Sequence, residues 1–174
     1  PVRFVLQPLL DLFKRLRAVT MPEMKAALGT QVDMTVFRKL STLEYLTSYS
    51  HRGSYYTLTS IPRFDAQGIW LARGAWFSRH GTLLSTAEAL VKESPAGYPA
   101  TELEELLHVP VKDVLRELSR AGRIQRHDCQ GPYLYTAKDR RRRQEQRAAR
   151  RALGQSTQKD QQQRKAAIVL FYSL

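Results

Sequence analysis

The sequence predicts a mostly α fold with small β-hairpins, built as two copies of one unit and followed by a basic, helical tail. Three observations predict it: an internal repeat, apolar residues at helical spacing before each hairpin, and a cluster of arginines after the second copy. The repeat is the strongest. The segment from Phe37 to Tyr55 returns 78 residues later as Leu115 to Tyr133. Val36, Phe37, Arg38 and Leu40 fall opposite Val114, Leu115, Arg116 and Leu118; Leu46 falls opposite Ile124, and Gly53 and Tyr55 opposite Gly131 and Tyr133. Two copies of one supersecondary unit in tandem imply two similar small domains.

In the first copy, Leu9, Leu10, Leu12, Phe13, Leu16 and Val19 set one amphipathic helix over about 8–18. A short helix follows at about 22–28, with Pro22 in its first turn and Gly29 as a left-handed stop. Asp33 is the expected N-cap of a third helix running to about Tyr45, with Val36, Phe37, Leu40 and Leu43 inward. Tyr45–Tyr49 and Tyr55–Thr59 are aromatic and β-branched around the turn His51-Arg52-Gly53-Ser54, a hairpin. In the second copy Thr82 caps a helix bearing Leu83, Leu84, Ala87, Leu90 and Val91, stopped by Ser94-Pro95-Ala96-Gly97. Thr101 is the expected cap of a short helix through Leu107. Pro110 opens a third helix that ends at Ala121-Gly122, and the segments 123–127 and 132–136 make the second hairpin.

Three helices closed by a hairpin resemble the winged-helix domain, and the order occurs twice. The resemblance implies a winged-helix domain at 1–61, a connecting segment at 62–81 and a second winged-helix domain at 82–137. An Arg/Gln-rich tail at 138–165 and the start of a further element at 166–174 complete the division. The segments Phe77-Ser78-Arg79-His80-Gly81-Thr82, Ala96-Gly97-Tyr98 and Ala121-Gly122-Arg123-Ile124 resemble bacterial winged-helix proteins of mobile elements, as the front part of transposase-like proteins. Transposition is the process this implies, with transcription regulation as the alternative.

The net charge of +12 favours a polyanionic partner. Residues 1–61 carry 8 basic and 4 acidic side chains, residues 62–137 carry 9 of each, and residues 138–165 carry 11 and 3. Base edges demand directional donors and phosphates demand cations. On the first copy's third helix, Thr35, Arg38, Lys39 and Thr42 share one face with Ser41 at its edge, and Arg52 tips the hairpin. The matching face of the second copy is Asp113, Arg116, Glu117 and Arg120, with Lys112 beside it and Arg126 on the hairpin. Its carboxylates make the first copy the expected reader of double-stranded DNA. The tail residues Arg140, Arg141, Arg142, Arg143, Arg147, Arg150 and Arg151 are expected to bind backbone without sequence preference, and to become fully helical only when neutralised. RNA binding stays open, as does an adaptor role in which the second copy binds protein. Trp70, Trp76 and Phe77 are expected to pack between the copies, with Gly68–Ala72 as a third strand of the first hairpin's sheet.

Catalysis is not expected, nor any cofactor or metal. His51, His80, His108 and His127 show no ligand spacing, the single Cys129 falls in a turn, and no Gly-rich phosphate loop occurs. Glu102, Glu104 and Glu105 read as a solubility or partner-contact cluster. With no apolar run of spanning length and no signal peptide, the chain is expected to be soluble, cytoplasmic and nucleoid-associated. Its start at Pro1 and its apolar end at Ala166–Tyr172 suggest a piece of something longer.

Overall fold

Leu9, Leu12 and Phe13 recur at helical spacing and are buried along α1 (Gln7–Leu16), the first element of a computed structural model that describes residues 5–172. The described residues form seven α-helices and three small antiparallel sheets. Two compact units emerge, one of residues up to Ala87 with Leu107–Val109, the other of Glu88–Leu106 with Pro110 onward.

In the first unit, β1 (Val19–Thr20) leads into α2 (Met21–Leu28) and α3 (Asp33–Leu40), and then β2 (Tyr45–Thr47) and β3 (Tyr55–Leu58) form a hairpin. The sheet order is β1-β3-β2. Thr20 and Glu23 fix the start of α2: Glu23 Oε1 accepts from the Thr20 N–H at 3.2 Å and from its hydroxyl at 2.7 Å. Gly29, at φ +68°, caps the far end in the left-handed region. Met24, Leu28, Val36 and Leu40 then close on α1. Two expectations about α3 change. Val32, extended at φ −105° and ψ 117°, holds the N-cap position, while Asp33 opens the helix and ion-pairs with Lys25. The helix stops at Leu40 rather than near Tyr45, because the hydroxyls of Ser41 and Thr42 bond back to the carbonyls of Arg38 and Lys39.

The expected connecting segment belongs to the first unit. β4 (Ile69–Ala72) and β5 (Ala75–Ser78) make a separate hairpin, not a third strand of the first sheet, whose added strand is β1. Phe77 and Ala75 are buried with Ala18, and Trp70, Leu46 and Tyr55 pack on them, so this hairpin covers the sheet face turned away from α3.

The order recurs along the chain in α4 (Leu83–Glu93), which joins the second unit from Glu88, β6 (Tyr98–Pro99), α5 (Ala100–Leu107), α6 (Lys112–Arg120), β7 (Ile124–His127) and β8 (Leu134–Ala137), and the sheet order is β6-β8-β7. Thr82 caps α4 through its hydroxyl, which accepts from the Ser85 N–H at 3.1 Å. Thr101 does not cap α5, which already begins at Ala100, and Pro110 stands before α6, whose N-cap position is Val111. Val91, Leu103, Val111, Leu115, Leu118 and Ile124 are buried.

The structural repeat runs at 79 residues, one more than the sequence match. Val19 pairs with Tyr56 as Tyr98 pairs with Tyr135, and Tyr45 pairs with Leu58 as Ile124 pairs with Ala137. The fully buried partner of Val36 is therefore Leu115, not Val114. A one-residue slip is invisible in the sequence because Val36-Phe37 and Val114-Leu115 are both apolar pairs. In this register Ser119 replaces the buried Leu40, and its Oγ is buried without a hydrogen-bond partner among the described residues.

The tail is one helix, α7 (Arg140–Tyr172), running through the expected boundary at 166 without a break. Ser173 and Leu174, the end of the expected further element, lie outside the described residues. No helix among the described residues is long and apolar enough to cross a membrane.

Candidate nucleic-acid interface

Because Val36 and Leu40 turn α3 inward, Arg38, Ser41 and Thr42 are left exposed, with Thr35 and Lys39 half-buried beside them. Arg38 forms no ion pair among the described residues. The Ser41 and Thr42 hydroxyl protons go to helix carbonyls at 2.8 and 2.7 Å, which leaves their oxygens outward as acceptors. The face thus combines one free guanidinium, one partly covered ammonium and hydroxyl acceptors.

At the tip of the first hairpin, His51 and Arg52 both adopt φ +53°, ahead of Gly53 at +70°. Non-glycine residues in this region cost about 1–2 kcal/mol each. Bonds from neighbours sustain the turn: Ser50 Oγ lies 2.9 Å from His51 Nδ1 and accepts from the Trp76 N–H at 2.8 Å. Arg52 is exposed at its crest.

The 79-residue register revises the comparison with the second unit. Arg38 falls opposite Glu117, Lys39 opposite Leu118, Thr35 opposite Val114 and Thr42 opposite Ala121. The second unit nevertheless gathers cations of its own between α6 and its hairpin. Arg116, Arg120, Gln125, Arg126 and Lys138 line a hollow of about 390 Å³. A second of about 450 Å³ lies between Lys112, Arg116, Arg126 and Tyr133. The Arg126 guanidinium stands 4.4 Å over the Tyr133 ring, which orients it. Asp113 tempers this charge by pairing with Arg116 at 3.2 Å.

On α7 the expected backbone-binding arginines separate. Arg142 donates to the carbonyls of Glu93 at 2.7 Å and Ser94 at 3.0 Å, at the end of α4. Arg150 donates to Ala96 at 3.0 Å and Gly97 at 2.7 Å, and meets both oxygens of Glu102 at 2.7 and 3.0 Å. Gln146, fully buried between them, donates to Val91 O at 2.7 Å and Ser94 O at 2.9 Å and accepts from the Ala137 N–H at 2.8 Å. Arg142 and Arg150 are thus engaged inside the unit, against the expectation that all seven arginines of the tail bind the nucleic-acid backbone. Glu102 serves the same docking, and Glu104 accepts from the Val111 N–H at 3.1 Å. Nothing local in the sequence marks Gln146 as buried, since it is one glutamine among many in the tail.

Arg140, Arg141, Arg147 and Arg151 stay exposed, and Arg143 is half-buried with one bond to Lys138 O at 3.0 Å. Arg147 and Arg143 also lie near β7: burial, and then their two charges, hold His127 below its ordinary pKa. His127 Nε2 is 2.9 Å from Thr136 Oγ1. No group of three His, Cys, Asp or Glu side chains among the described residues converges on a point that could hold a metal ion. No family model, curated protein or solved structure matches the chain.

Proposed function

We propose that the chain binds duplex DNA through two winged-helix units, with the first unit reading sequence. The observation that carries this reading is the face of α3, where Arg38 is exposed, forms no ion pair among the described residues and lies beside Ser41 and Thr42 on the helix that precedes a strained, arginine-tipped hairpin. Helix–strand–helix–helix–hairpin with its third strand in the middle of the sheet, found in both units, supports the winged-helix assignment. An arginine on such a face can bond a guanine edge with two donors, and the hydroxyl oxygens can accept from amino groups. Arg52, the hollows of the second unit and the free arginines of α7 add phosphate contacts. The reaction chemistry is binding alone, with no catalytic step in these residues.

Arg38→Ala tests the reading. It should weaken a selected cognate duplex by roughly 1–3 kcal/mol and random duplexes by much less. Equal losses on both would make Arg38 a phosphate contact and remove the claim of sequence reading. Transposition is the process we propose, on the sequence resemblance to mobile-element proteins, with transcription regulation as the alternative. Selection from random duplexes should then return the ends of such an element, and recovery of promoter operators would make the chain a transcription regulator.

A further inference from the structure

The arginines of α7 fall into two rows about a third of a turn apart. At 3.6 residues per turn, Arg142, Gln146 and Arg150 follow one another along the docked side. Arg140, Arg147 and Arg151 align within about 40° of one another on a second line, flanked by Arg143. The docked row is consumed by carbonyls of α4 and its following turn and by Glu102. The second row is not: Arg140, Arg147 and Arg151 are exposed and form no ion pair among the described residues. The carboxylates of α7 lie off this line, Glu145 being held by Arg141 and Arg142 and Asp160 sitting on the docked side's extension.

We propose that this outer row is a preformed rail for the phosphodiester backbone of duplex DNA, and that Arg142, Gln146 and Arg150 are the positioning residues that hold it rigid against the second unit. The proposal rests on the duplex-binding reading above. Its physical advantage is entropic. An arm that ordered only on binding would lose backbone freedom of about 1–2 kcal/mol per residue at that moment, whereas a docked helix has lost it on folding. The row spans about 16 Å along the helix, enough to face several phosphates of one strand. All its members are arginines, whose planar guanidinium meets two phosphate oxygens at once. Arg143 and Arg147 bring the rail beside strand β7, so that the hairpin has cations on this side as well as in the hollows facing α6.

The test uses the full chain and two triple variants of equal charge change. Arg140→Gln, Arg147→Gln and Arg151→Gln together remove the rail. Arg141→Gln, Lys159→Gln and Arg164→Gln together remove three cations of the same helix that lie off the line. Affinity for a 30-base-pair duplex is measured against log salt, and circular dichroism reports whether α7 stays helical. The rail variant should flatten the slope by roughly 2.7, at about 0.9 per phosphate contact, with helix content unchanged, and the off-line variant by less than half as much. Equal flattening by both triples, or none by the rail triple, overturns the proposal while leaving duplex binding intact. A wild-type chain that binds no duplex overturns both readings. Loss of binding to polyglutamate without loss on duplex would make the row an acidic-protein surface and equally overturn it.

Discussion

Replacing Gln146 by alanine should cost the second unit more than any exposed arginine of α7 would. Gln146 is fully buried, and its carboxamide serves four backbone groups: the Ala137 N–H at 2.8 Å, Val91 O at 2.7 Å, Ser94 O at 2.9 Å and, more distantly, Lys92 O at 3.5 Å. Ser94 O and Lys92 O retain donors in Arg142 at 3.0 and 3.3 Å, and Val91 O retains one in the Ser94 hydroxyl at 3.1 Å, so the Ala137 N–H is the group that loses its polar partner. It belongs to a buried residue, where water cannot easily take over. An unsatisfied buried donor or acceptor costs about 1–3 kcal/mol, and alanine returns at most about 0.7 kcal/mol through helix propensity. With one group orphaned and a cavity left by the buried side chain, the expected loss is about 1–3 kcal/mol. Urea denaturation of the full chain, followed by circular dichroism, measures it against Gln144→Ala, an exposed neighbour expected within about 0.5 kcal/mol of wild type. If Gln146→Ala also falls within that range, α7 is not docked in solution, and the rigid presentation of the outer arginine row fails with it.

Two further outcomes follow from the packing and electrostatics of the second unit. Gly97 has φ +64°, and a Cβ there would lie 2.6 Å from the Tyr135 carbonyl oxygen, beside the pairing of β6 with β8. Gly97→Ala should cost about 3 kcal/mol or more in thermal unfolding, while Gly74→Ala, at φ +77° in open space, should cost about 1–2 kcal/mol. Equal losses would show that the close approach is relieved at no cost. Burial alone would raise the Glu88 carboxyl, but bonds from Lys92 and Arg123, each 2.5 Å, hold it below the ordinary 4.5. A depressed folded value gives stability that is present above the unfolded pKa and lost as pH falls through the folded one. Glu88→Gln should accordingly be about 1–2 kcal/mol less stable than wild type at neutral pH, with the gap closing in acid. A gap that stays constant down to pH 3 would mean the ion pairs contribute nothing.

The sequence by itself determined the local elements. Apolar spacing marks α1, α3 and α6, Gly29 stops α2, and the aromatic and β-branched residues around residues 51–54 mark the first hairpin, because each signal lies within a few residues of what it directs. The repeat announced two like units for the same reason. Tertiary structure decided what depends on distant partners. Two-residue strands such as Val19–Thr20 and Tyr98–Pro99 carry no period, and exist only because β3 and β8 offer an open edge. The repeat's true spacing came from strand register and from the burial of Val36 and Leu115, since neighbouring apolar residues let the sequence slide by one. The fate of the arginines was likewise unreadable in the chain. Arg140, Arg142, Arg147 and Arg150 are chemically identical, and only the open carbonyls at the end of α4, some fifty residues away, separate those that dock from those left exposed.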